Sequence, residues 1–86
     1  MSSPPVHASH PALVARLRRA EGHLRAVIGM IEAGRPCLDL AQQLYAVEKA
    51  VAGAKRALIH DHVDHCLDAE ASEAERAELR AIARYL

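Results

Sequence analysis

A chain of 86 residues with eleven basic and eleven acidic side chains is one small domain, too short to bury more than a little over half of its unfolded surface, so oligomerisation is an expected way to enlarge its core. Alanine, leucine, arginine and glutamate dominate, Phe and Trp are absent and Tyr occurs twice, which suits packed helices and excludes an aromatic stacking platform for nucleic acid. No apolar run approaches the roughly 18–20 residues needed to span a bilayer. The neutral total hides an asymmetry. Residues 1–60 carry eight Lys/Arg against four Asp/Glu, and residues 61–86 carry three against seven. A basic body with an acidic tail is compatible with a phosphate-binding surface, although ordinary solvated helix faces fit the charge pattern equally well.

Residues 1–9 form a Pro/Ser-rich arm expected to be mobile, without the basic and apolar regions of a secretory signal. A single helical domain is expected over 10–86. Ser9 can cap a first helix, with Pro11 in a first turn that tolerates proline. Leu13, Leu17, Leu24, Ile28 and Ile31 then recur at helical spacing as an apolar stripe, so this helix runs to about Ala33, where Gly34-Arg35-Pro36 breaks it. A long second helix begins near Pro36 or Cys37 and continues without proline through Cys66, with Leu40, Leu44, Val47, Val51, Ala54 and Leu58 as its apolar stripe. Gly53 is its weak point, costing about 1 kcal/mol relative to alanine. Ser72-Glu-Ala-Glu75 has the capping-box pattern and opens a short third helix ending in Leu79, Ile82, Tyr85 and Leu86. The fold class is all-α, with three helices and a long central one.

The two cysteines and six histidines hold the candidate chemistry. Two cysteines in a chain with a cytoplasmic character point to metal or redox chemistry more than to a structural disulfide. On a helical wheel Cys37, His62 and Cys66 fall within about 40° of one another, and His62 and Cys66 are an i,i+4 pair able to hold one ion between them. Cys37 lies 29 residues before Cys66, which along one helix is about 43 Å, far beyond a shared ion or a disulfide. If the three residues form one site, a second, antiparallel copy of the helix must supply the cysteine. Two thiolates and an imidazole suit copper(I), whereas zinc(II) would want a fourth ligand. His65 is a possible additional ligand, about 100° away from Cys66 on the wheel. His7 and His10 on or beside the arm suit nickel(II) or cobalt(II), which favour more nitrogen donors. Taken singly, a cysteine on a helix edge is an ordinary small hydrophobe and a lone histidine an ordinary surface residue.

Arg16, Arg18, Arg19 and Arg25 border the apolar face of the first helix. Gln42, Lys49, Arg56 and His60 form a stripe on the second, nearly opposite its apolar face, of a kind that meets phosphates. Nothing resembles a helix-turn-helix, so DNA binding would draw on several subunits and on DNA shape.

From about Leu13 to Leu86 the chain resembles the CsoR/RcnR/FrmR family of bacterial metal- and stress-sensing repressors. The resemblance rests on Arg16-Leu-Arg-Arg-Ala-Glu-Gly-His-Leu24, on Cys37 fifteen residues after Gly22, on Gln42-Gln-Leu-Tyr-Ala-Val47 and on Leu58-Ile-His-Asp-His-Val-Asp-His-Cys66. The spacing from Cys37 to His62 and Cys66 is that of its copper-sensing branch. The resemblance implies an antiparallel homodimer pairing into a homotetramer. It further implies operator DNA bound by the metal-free protein and released on Cu(I) binding, and a cytoplasmic location. It carries the ligand triad onto Cys37, His62 and Cys66, and the DNA surface onto Arg16, Arg18, Arg19, Lys55 and Arg56. The glutamate that supports the ligand histidine in copper sensors has two candidates here, Glu75 and Glu78, and the tyrosine that precedes their first cysteine is replaced by Pro36. A persulfide-sensing or nickel/cobalt-sensing repressor of the same family is the nearest rival reading. A cytosolic copper-binding or storage protein without a DNA role is the rival from another class. An enzyme is not expected, since no activated nucleophile with its base is evident.

Overall fold

In a computed structural model, which describes residues 10–67 and 71–86, the chain folds into three α-helices and a terminal 3₁₀ turn. Helix α1 spans His10–Glu32, α2 Cys37–Cys66 and α3 Glu73–Ile82, followed by the turn Ala83–Tyr85. The arm 1–9, with Ser9 and His7, lies outside the described residues.

α1 stops where glycine lets the chain turn left-handed. Gly34 has φ +76°, its N–H donates to the Ile31 carbonyl at 3.1 Å, and the Arg35 N–H reaches back to the Met30 carbonyl at 3.0 Å. This pair of bonds is the Schellman closure, and the proline just after it prevents α1 from resuming. Pro36 serves as N-cap of α2, its carbonyl accepting from the Leu40 N–H at 3.1 Å. Asp39 in the first turn of α2 complements the helix dipole and pairs with Arg35 at 3.2 Å. α3 opens on the predicted capping box. Glu75 N–H donates to Ser72 Oγ at 3.1 Å, and Ser72 N–H donates to Glu75 Oε1 at 2.8 Å.

α1 and α2 pack side by side as a hairpin, and α3 folds back over the C-terminal part of α2. The seam of the hairpin corrects the expected stripes. Its buried residues are Leu13, Ala20 and Val27 on α1 and Val47 and Ala54 on α2. The small side chains of this seam let the two backbones approach, which puts the bulkier residues at its rim. Leu17, Leu24, Ile28 and Ile31 remain about half exposed, as do Leu44, Val51 and Leu58. Leu13 alone of the expected α1 stripe is buried.

The molecule measures 54 × 32 × 14 Å. A single α-helix with its side chains is about 10–12 Å across, so the hairpin is one layer thick. Domains bury a core between at least two layers. Val27 is the one large side chain that the hairpin excludes completely from solvent among the described residues.

Candidate metal site and nucleic-acid interface

The hairpin has two unlike edges. Leu13, Ala20 and Val27 point from α1 into the seam; Arg16, Arg19 and His23 lie along one flank of that line, and Val14, Leu17, Leu24 and Ile28 along the other. α2 repeats the division. Arg16, Arg19 and His23 from α1 and Lys49 and Arg56 from α2 line a single cleft of about 450 Å³, floored by Ala20, Ala50 and Gly53. Arg16 Nη1 donates to the Gly53 carbonyl at 3.4 Å, tying the rim of the cleft across the two helices. No carboxylate lines it. On the opposite edge Val14 and Leu17 face Val51 and Leu58 across an apolar groove.

Four of the seven Lys/Arg residues singled out in the sequence therefore converge: Arg16, Arg19, Lys49 and Arg56. Arg18 stands beside Val14, Leu17 and Glu21, and Lys55 beside His10, Leu58 and His62, both on the apolar side. His23 is the member of the cleft that sequence reasoning passed over. Its Nε2–H donates to Gln43 Oε1 at 2.6 Å, across the two helices. Helical phase with Arg16 and Arg19 was the available signal; the pairing with Gln43 needs the register between α1 and α2.

Cys37, His62 and Cys66 share one face of an unbroken 30-residue helix, as their spacing requires, but not one environment. His62 and Cys66 are buried where α3 crosses α2, while Cys37 sits exposed in the first turn, beyond the reach of α3. Across this helix the cysteines are separated by about 43 Å at ~1.5 Å per residue. Among the described residues no three donor side chains stand close enough to hold an ion within one chain.

The two candidate glutamates of α3 have different partners. Glu78 Oε1 lies 3.8 Å from His62 Nε2, at the mouth of a cavity of about 320 Å³ that His62 shares with Ile59 and Ile82. Glu75 is engaged elsewhere: Oε1 closes the capping box, Oε2 accepts from His65, and its carbonyl accepts from the Cys66 thiol at 3.4 Å. The Ser72 backbone N–H, then the His65 ring and the Ser72 hydroxyl, hold the Glu75 carboxyl at about 2, well below its usual 4.5. His65 is part-exposed, and its ring donates to Glu75 Oε2. His7 lies outside the described residues.

The described chain thus offers an exposed thiol and a buried histidine–cysteine pair at opposite ends of α2, with a basic cleft between α1 and α2. Residues 9–86 match the family model described as metal-sensitive transcriptional repressor, and the chain belongs to that family. It is 38% identical over 58 residues to the copper-sensing transcriptional repressor CsoR of Mycobacterium ulcerans, covering 67% of this chain and 50% of that protein. It is 36% identical over 58 residues to the copper-sensing transcriptional repressor RicR of Mycobacterium tuberculosis, covering 67% and 60%. Bacillus subtilis CsoR is 38% identical over 52 residues, covering 60% and 52%. The matched segments thus span about half the length of these curated relatives. Among solved structures the nickel-responsive transcriptional regulator InrS superposes with a TM-score of 0.76 at 34% identity, over 100% of this chain and 98% of that one.

Proposed function

We propose that this chain is the subunit of a Cu(I)-responsive repressor that binds operator DNA when metal-free and releases it on metal binding. The observation that carries the reading is the division of three soft donors between the two ends of one continuous helix: His62 and Cys66 buried together at the C-terminal end, Cys37 exposed at the other. An antiparallel second copy brings its Cys37 to this His62/Cys66 pair, and the symmetry of the dimer makes two such sites. The half-exposed Leu17, Leu24, Ile28, Leu44, Val51 and Leu58 supply the apolar edge on which the copies meet. A pair of these dimers, a homotetramer, brings several basic clefts to one duplex.

The donor set fits the metal. Two sulfurs and one neutral imidazole satisfy a soft monovalent ion that accepts few ligands, and bound Cu(I) contributes a crosslink between the two chains. The chain's own residues do the rest. Glu78 stands 3.8 Å from His62 Nε2, longer than a hydrogen bond; if that gap closed, a bond from the non-ligating nitrogen to such a carboxylate would fix the tautomer that leaves the other nitrogen to ligate. Cys66 gives up its thiol proton on ligation, ending its donation to the Glu75 carbonyl in the first turn of α3. Arg16, Arg19, Lys49 and Arg56 neutralise backbone phosphates in the metal-free state, and a cytoplasmic site of action follows from a DNA partner.

The test is an anaerobic titration of the reduced protein with Cu(I), bound to a fluorescent duplex selected by the metal-free protein from a random-sequence pool. Release at about one Cu(I) per chain, abolished in Cys37→Ala and in His62→Ala, supports the reading. The likeness to nickel-responsive InrS favours one further arm: release by Ni(II) but not by Cu(I) would reassign the inducer and leave the fold and the cleft in place.

A further inference from the structure

Among the ionisable residues that line the basic cleft, His23 alone is not permanently charged at neutral pH. The charged residues that line the cleft with it are all of one sign: Arg16 and Arg19 from α1, Lys49 and Arg56 from α2, with uncharged Gln43 from α2 as its hydrogen-bond partner and no lining residue from α3. We propose that His23 couples DNA binding to proton uptake, so that the chain grips DNA more tightly as the pH falls through the neutral range. The inference rests on the reading of this cleft as the DNA surface.

The geometry assigns the proton. Nε2–H is committed to Gln43 Oε1 at 2.6 Å, so the ring takes up its proton at Nδ1, and the clasp between α1 and α2 survives protonation. Phosphates seated in the cleft favour the protonated ring, since an opposite charge within a few ångströms favours the charged form. Linkage then requires DNA to raise the proton occupancy of the ring and a proton on the ring to raise the affinity for DNA by the same factor. Imidazole is the side chain whose ordinary titration falls between about pH 5 and 8, which sets the window the experiment scans. The ceiling of the effect is one proton per engaged chain, about a tenfold change in affinity per pH unit for each cleft that meets the duplex.

The experiment measures anisotropy of the selected fluorescent duplex with metal-free protein at constant ionic strength across about pH 6 to 8. Wild type is expected to tighten several-fold as pH falls. His23→Gln keeps an N–H for Gln43 but cannot be protonated, and is expected to bind with a distinctly flatter pH profile; melting curves check its fold. A second reading needs no variant: the His23 ring proton resonances of wild type titrate with a higher midpoint in the DNA complex than in the free protein. An unchanged pH profile in His23→Gln, or an unmoved midpoint, overturns the proposal while leaving the cleft as the DNA surface. If Arg16→Ala and Arg56→Ala bind DNA as tightly as wild type at every pH, the cleft reading fails and the coupling falls with it.

Discussion

Glu75 shows how much one side chain can join. Its two carboxylate oxygens and its carbonyl connect the cap of α3, the ring of His65 and the thiol of Cys66. Because the folded chain holds its carboxyl at about 2 against a usual 4.5, the ionised form is the one the fold favours. Its contribution is complete above about pH 4.5 and fades as the pH falls towards about 2. Wild type is therefore expected to melt higher than Glu75→Gln at neutral pH, with the gap closing as the pH drops through that window, as thermal unfolding at several pH values will show. Val27 governs the seam in a different way. It is wholly buried between α1 and α2, and Val27→Ala is expected to cost about 2 kcal/mol in denaturant unfolding through the lost contacts and the cavity left behind. Arg16 belongs to the cleft: Arg16→Ala should weaken DNA binding across sequences and lower the salt slope of log K by about 1 for each engaged chain.

The helices themselves were legible in the sequence because their ends are written in local chemistry. Gly34 before Arg35 and Pro36 closes α1, and Ser72 with Glu75 opens α3 as a capping box. Ser72→Ala is expected to lower stability by about 1 kcal/mol and to loosen α3 before α1 and α2, which hydrogen exchange resolved by segment will report. What the periodicity gave only in part was the seam: Leu13, Val47 and Ala54 of the expected stripes are buried in it, while Ala20 and Val27 were not among them. Leucine and isoleucine at helical spacing mark an apolar face, yet the contact runs along Ala20, Val27, Val47 and Ala54, with the larger residues at the rim. A hydrophobic pattern says that Leu17, Leu24 and Ile28 face something apolar, not whether that is their own chain or a second one. The candidate site follows the same rule. The phase of Cys37, His62 and Cys66 was readable along one helix, whereas the choice between Glu75 and Glu78 and the pairing of His23 with Gln43 depend on how α3 and α1 register against α2.

As a whole the molecule is a slab 14 Å thick, with an apolar edge and a basic edge. Such a layer gains a core only when another layer covers it, so assembly and folding are expected to be coupled. Leu24→Glu places a charge on the apolar edge and is expected to shift the protein towards monomer in sedimentation and to make its melting concentration-independent. The central claim, that each metal site is shared between two chains, has a direct test. Cys37→Ala and the double variant His62→Ala/Cys66→Ala each lack a ligand in every site of their own homodimer. Co-expressed with different tags and purified as the mixed dimer, they pair the intact Cys37 of one chain with the intact His62 and Cys66 of the other. Anaerobic Cu(I) titration against a competing chelator is predicted to show no tight site in either parent and about one per mixed dimer. A mixed dimer that binds no more Cu(I) than its parents would contradict the shared site.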